Sequence, residues 1–377
     1  MSLTSHFYRV SLAVPYWNRA TYGQILRSLC SGSIVEGVAV RDLKFQMIET
    51  LGVREAVLCG SGSLALEIAL RACEVTRGDE VIIPTFCCSA VVPPILAIGA
   101  TPVLADVGEE LNLTVDTVGA VITQKTKAII VPHLFGNPAD IGAIIELARQ
   151  KSIRVIDDAA QALGATIDGR PVGSFGDAAC FSFYGNKILT TGEGGMVVCS
   201  DAALAERMRF LRNQAFGHPR FVHREVGFNY RLTNVQAAIG LAQAEKADEK
   251  VEKKREIARW YGEAFADCPD LELPWEAPGA KNVYWMYGIK LGDRYAQGRD
   301  AVMAQLKTKG VDTRAFFCPM HMQPVFQNAI DPRMPETRGS FPVSEDLWKR
   351  GLYLPSGLGL TPAQVEEVAA RVLECRP

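Results

Sequence analysis

The stretch AVLCGSGSLALEIALRAC, residues 56–73, reads as a strand, a turn and a helix in direct succession. AVLCG is a short apolar run of the length of a buried strand, and SLALEIALRAC carries leucine, isoleucine and alanine at helical spacing. The alternation then repeats. EVIIP (80–84) is a second strand, SAVVPPILAIG, TPVLADV and KAIIVPHL continue the pattern, ADIGAIIELARQK (139–151) is helical, and IRVID (153–157) is again a strand. Strands that are apolar on both faces and separated by helices predict an α/β fold with a mostly parallel sheet covered on both sides. In such sheets binding chemistry gathers in the loops beyond the carboxyl ends of the strands.

The regularity ends near residue 215. Residues 231–267 predict one or two long helices, and the charged second half reads as a solvated face. The apolar run VYWMYGIKL (283–291), the helical RDAVMAQLKTKG (299–310) and the helical TPAQVEEVAARVLE (361–374) predict a smaller α+β unit. The expected division is a large domain over 1–245, including the N-terminal segment, and a small C-terminal domain over 246–377.

Composition narrows the function classes. The chain has 377 residues, 48% of them hydrophobic, and its 42 acidic and 40 basic side chains leave a formal charge of −2. Disorder and fibrous architectures are excluded, and no global positive field exists for a nucleic-acid backbone or an anionic membrane. The ten cysteines are scattered without CxxC spacing, which predicts a reduced, cytoplasmic protein. The N-terminus MSLTSHFYRV lacks a basic segment followed by an apolar one, and no apolar run approaches the roughly 18 residues of a membrane span.

Three segments carry chemistry. In CGSGSL the turn Gly60-Ser61-Gly62-Ser63 enters a helix, where free N–H groups and a hydroxyl make a phosphate seat, though such turns are also ordinary helix caps. RVIDDAAQALGA ends a strand on Asp157 and Asp158, followed by Gln161. Alternation along the strand sends one carboxylate toward the site and the other away, while a cap on the following turn is the plainer use. The decisive segment is CFSFYGNKILTTGEGGMVVC (180–199), which sets Lys187 in a hydroxyl- and glycine-rich loop between two apolar strands. A lysine placed inside the protein has a depressed pKa and becomes a usable amine nucleophile. A phosphate seat, a carboxylate for a pyridinium nitrogen and an imine-forming lysine are the parts that pyridoxal phosphate requires.

Four segments in order, SGSLAL, VIDDAAQALGA, FSFYGNKILTTGEGG and GFNYRLTNVQAAIGLAQ, resemble the successive signatures of the DegT/DnrJ/StrS family of pyridoxal phosphate-dependent nucleotide-sugar aminotransferases. The resemblance runs from about residue 30 to the terminal helix and implies the fold type I aminotransferase architecture. It makes Lys187 the Schiff-base lysine and Asp158 the partner of the pyridinium N–H. Gln161 would contact the ring 3-oxygen, and Gly62, Ser63 and Ser182 would bind the phosphate. It also implies that Phe86 stacks on the ring and that Asn229 reaches the phosphate from a neighbouring subunit of a homodimer. For Phe86, Asn229 and Ser182 the plainer readings are core packing, a cap on the helix beginning near Thr233, and a strand hydroxyl.

Within the family, FYGNK, RAFFCPMHMQPVF (314–326) and YLPSGLGLT (353–361) look most like the perosamine-forming branch, which implies amination of a GDP-linked 4-keto-6-deoxy sugar by L-glutamate. His321 then falls near the sugar, or is a loop histidine with structural contacts only. Competing substrates are UDP- or dTDP-linked keto sugars, including a UDP-4-keto pentose. Two rival classes are a sugar dehydratase of the same fold, which carries histidine where this chain has Lys187, and a non-catalytic regulator. CysCysSer at 87–89 replaces the ThrPheVal-like residues usual in the family, so the pocket wall near Phe86 differs.

Overall fold

The computed structural model describes residues 8–13, 17–328, 331 and 333–376. Seven strands form the central sheet: β1 (Glu55–Cys59), β2 (Glu80–Pro84), β3 (Thr101–Ala105), β4 (Thr126–Pro132), β5 (Arg154–Asp158), β6 (Ala178–Ser182) and β7 (Gly195–Cys199), in the order β1-β7-β6-β5-β4-β2-β3. β3, β2, β4, β5 and β6 run parallel. β7 is antiparallel to both β6 and β1, so the sheet is mixed, and the short return from β6 to β7 is what hangs the Lys187 loop at its carboxyl end.

Burial of both faces shows in the alternation along single strands. Val81 and Ile83 of β2 join the core on one side of the sheet, with Ile130 and Ile156. Ile82, between them, joins the core on the other, with Ile129, Val131 and Val155. This is why the strands read as continuous apolar runs rather than alternating ones.

A second, antiparallel sheet contains β8 (Leu271–Glu272), β9 (Tyr287–Leu291), β10 (Arg314–Ala315) and β11 (Gly351–Leu354), ordered β8-β9-β11-β10. Ile257 and Tyr261 of the helix Ala247–Ala264 and Val365 and Val368 of the helix Pro362–Leu373 cover it through one apolar cluster. The helix Ala247–Ala264 corrects the expectation of a wholly solvated charged face. Lys250, Val251, Lys254, Ile257, Ala258 and Tyr261 form a buried stripe at helical spacing.

Two N-terminal helices, Arg19–Cys30 and Val38–Leu51, were not expected from the sequence and pack on Asn234–Ala244. Asn234 joins all three: its Nδ2 donates to Ser28 Oγ and to the Ser33 carbonyl, at 3.0 and 2.7 Å, and its Oδ1 accepts from Val40 N at 3.2 Å. Among the described residues no helix is long and apolar enough to cross a membrane.

Candidate active site

The loops after β1, β2, β5 and β6 converge at the carboxyl end of the central sheet. After β1, Ser61 caps the helix Gly62–Ala72: its hydroxyl accepts from Leu64 N at 3.2 Å. The cap reading is therefore correct for Ser61, and it leaves the N–H groups of Gly62 and Ser63 facing out of the first turn without helical partners. Ser182, the last residue of β6, lies directly opposite. A Cβ built on Gly62 would come within 2.9 Å of Ser182 Cβ, so only glycine lets the helix start approach that hydroxyl. Gly195, paired with Ser182 in the sheet, is equally tight, since a Cβ there would meet the Ser61 carbonyl at 2.4 Å. Two N–H groups and one hydroxyl thus share a narrow cradle suited to a phosphate.

The two carboxylates ending β5 part as the pleat requires. Asp157 is completely buried. Its Oδ1 accepts from His133 Nε2 at 2.7 Å and its Oδ2 from Gly173 N at 2.8 Å. Because Ala139 N donates to His133 Nδ1 at 2.9 Å, the ring proton resides on Nε2. Asp158, on the other side of the strand, is buried too, but among the described residues its side chain accepts only from Ala160 N, at 3.1 Å. Burial pushes the Asp158 carboxyl up, while the Ala160 N–H and the charge of Lys187 pull it down. It is an acceptor with capacity to spare, facing a lysine, which is what a pyridinium N–H needs.

Lys187 sits in the return between β6 and β7. Phe183 N donates to the Gly194 carbonyl at 2.8 Å, Thr191 N to Phe183 O at 2.9 Å, and Lys187 N to Tyr184 O at 2.9 Å, which closes the loop into a fixed turn. Burial lowers the Lys187 ammonium to about 8 from its ordinary 10.5, against the opposing pull of Asp158 and Cys88. Nζ lies 3.8 Å from the ring centroid of Trp285.

Gln161 Oε1 accepts from Phe135 N at 2.8 Å, which leaves its amide nitrogen without a partner among the described residues and available as a donor. Phe86 is 0% exposed and packed among Phe135, Phe316 and Phe317, with centroids 6.0–6.3 Å away. Asn229 is exposed, and its Oδ1 accepts from Arg231 Nε at 3.1 Å. The helix cap proposed for it belongs to Thr233, whose side chain accepts from Gln236 N. His321 is buried with both ring nitrogens engaged, Nδ1 with Thr85 Oγ1 at 2.8 Å and Nε2 with Glu345 Oε1 at 3.2 Å, and its ring stacks on Phe341.

Three residues of this region were not found from sequence. His133 had a signal, as a polar residue ending the apolar strand KAIIVPHL. Asn186 lies beside the lysine, and its buried Oδ1 has no partner among the described residues. Trp285 lay hidden in an apolar run about 100 positions from the residue it covers.

A central α/β sheet carrying a lysine, a buried carboxylate and a phosphate cradle at its carboxyl end defines a pyridoxal phosphate-dependent transferase. The chain belongs to the DegT/DnrJ/EryC1/StrS aminotransferase family, whose model matches residues 18–373. The GDP-perosamine synthase of Caulobacter vibrioides is 38% identical over 367 residues, covering 96% of this chain and 97% of that protein. A protein of Acidithiobacillus ferrooxidans named as a UDP-N-acetyl-3-dehydro-alpha-D-glucosamine 3-aminotransferase is 38% identical over 344 residues, covering 90% and 89%. Among solved structures, the aminotransferase TlmJ of Streptoalloteichus hindustanus matches with a TM-score of 0.90 at 30% identity, covering 97% of this chain and 98% of that one. The protein is a pyridoxal phosphate-dependent transaminase.

Proposed function

We propose that the enzyme transfers the amino group of L-glutamate to the 4-keto carbon of a GDP-linked 4-keto-6-deoxy sugar. The observation that carries this is the convergence of Lys187, Asp158 and the Gly62–Ser182 cradle at the carboxyl end of the central sheet, in a chain 38% identical to a GDP-perosamine synthase along nearly its whole length. When bound, the cofactor supplies an electron sink for the donor's α-carbon. Lys187 binds its aldehyde, and as a free amine its Nζ accepts and returns the α-proton. Asp158 holds a proton at the ring nitrogen, Gln161 Nε2 donates to the ring oxygen, and the N–H groups of Gly62 and Ser63 with Ser182 Oγ fix the phosphate. Phe86 belongs to the wall of this pocket and His321 to the sugar side.

The working form in this reading is a cytoplasmic homodimer with a large domain over 1–245 and a small one over 246–377, in which Asn229 of the second copy completes the phosphate site. An apolar surface supports the dimer. Tyr22, Leu26 and Leu29 expose one apolar face of the first helix, at i, i+4 and i+7, and Val38, Phe45, Phe221 and Val226 are also exposed.

The test is to load the protein with pyridoxamine phosphate and follow its discharge by GDP-, UDP- and dTDP-linked keto sugars. Rapid discharge by the GDP-4-keto sugar alone is expected. Preference for a UDP- or dTDP-sugar replaces the substrate while leaving the transaminase reading intact.

A further inference from the structure

Lys254 is a buried lysine with no carboxylate partner among the described residues. Its Nζ donates to the carbonyl of Trp285 at 2.8 Å, to the carbonyl of Ser356, and to Ser356 Oγ at 3.4 Å. No ion pair of Lys254 exists among the described residues, and burial alone lowers it to about 7. Leaving an ammonium in such a place costs several kcal/mol in general, and a methionine would fill the same volume without that cost. What the ammonium provides is a three-way tie from the helix Ala247–Ala264 to the two chain segments that flank β9 and β11, one of which bears Trp285.

Trp285 in turn meets the lysine loop twice. Its indole N–H donates to the carbonyl of Asn186, the residue before the lysine, at 2.9 Å, and its ring face lies 3.8 Å from Lys187 Nζ. Lys254 and Lys187 also line one small pocket with Asn186. The backbone that Lys254 holds therefore carries the aromatic face that lies against the Lys187 amine.

We propose that Lys254 and Trp285 are a positioning pair for the Lys187 amine: Lys254 anchors the Trp285 backbone, and the Trp285 ring seats Nζ. This rests on the reading of Lys187 as the cofactor-binding lysine. An indole face attracts a cationic nitrogen, so the pair is expected to favour the protonated form of the nitrogen at Lys187. A role of Lys254 through charge alone has the opposite sign, because removing a nearby positive charge makes Lys187 easier to protonate.

The experiment is a pH titration of the visible absorbance of the lysine-bound cofactor in the holoenzyme, which requires neither donor nor sugar. Trp285→Leu is expected to lower the midpoint by about half a unit to one unit. Lys254→Met is expected to lower it in the same direction, and Lys254→Arg to restore it in large part. Lys253→Met removes a neighbouring lysine that pairs with Glu256, and it should leave the midpoint in place. A rise in Lys254→Met, or no change in Trp285→Leu, overturns the proposal. If Lys254→Met fails to fold, Trp285→Leu together with Lys254→Arg decides the matter. Persistence of the same absorbance in Lys187→Ala would instead overturn the assignment of the lysine itself.

Discussion

The two faces of the central sheet treat neighbouring carboxylates in opposite ways. On one face Asp157 has both oxygens engaged, with His133 and Gly173, and no contact with solvent. On the other, one residue on, Asp158 has a single donor among the described residues, the Ala160 N–H, and looks toward Lys187. A completed hydrogen-bond set makes a carboxylate part of the scaffold, and an incomplete one beside a desolvated amine makes it part of the chemistry. The same residue type, in the same strand and at similar burial, serves both ends because the pleat reverses direction at each residue.

The strongest way to break this contrast is to remove the group Asp158 faces. Lys187→Ala is expected to abolish the absorbance of lysine-bound cofactor and to reduce amino transfer by at least about 10³-fold, the scale of losing a positioned acid–base group. Retained spectrum and turnover would move the site elsewhere. Asp158→Asn should lose roughly 10- to 100-fold in turnover, as expected for losing a charged hydrogen bond to the ring, with the melting temperature little changed. Asp157→Asn should reverse that pattern. The amide cannot accept from both His133 Nε2–H and Gly173 N–H, and turning the imidazole over would leave Ala139 N–H facing another donor. A stability loss of about 1–3 kcal/mol is expected, read as a lower melting temperature with turnover per folded molecule near wild type. Equal kinetic damage from the two asparagine variants would erase the distinction.

Much of this site was legible because it is local in sequence. The glycine-serine turn, the paired aspartates and the lysine loop each occupy a few consecutive residues, and strand alternation alone predicts that Asp157 and Asp158 diverge. What was hidden depends on distance along the chain. His133 meets Asp157 only because β4 and β5 are sheet neighbours, and Trp285 reaches Lys187 from the segment entering the second sheet. Lys250 and Lys254 were masked differently. They stand among charged residues that do face solvent, so the run reads as polar all round, and only the spacing of Val251, Ile257, Ala258 and Tyr261 marks the buried stripe on which both lysines lie. Phe86 shows a third limit, since an aromatic residue after a strand has the same sequence signal whether it faces a cofactor or other aromatic rings.

The smallest expected effect separates the two aspartates by a readout that is neither melting temperature nor turnover. Burial lowers the Lys187 ammonium to about 8, and the charge of Asp158 partly restores it. Below that pH the nitrogen is an ammonium and cannot attack the cofactor's aldehyde, so capture of added pyridoxal phosphate by the cofactor-free protein should slow about tenfold for each unit of acidification, and level off on the alkaline side. Removing the Asp158 charge withdraws the attraction that favours the ammonium, so in Asp158→Asn the midpoint should fall below about 8 and capture should persist to lower pH. The charge of Asp157 is held by His133 and is not among the groups that set the Lys187 value, so Asp157→Asn should leave the midpoint where it was. A parallel fall in both variants would mean that the amine senses the two faces of the sheet alike.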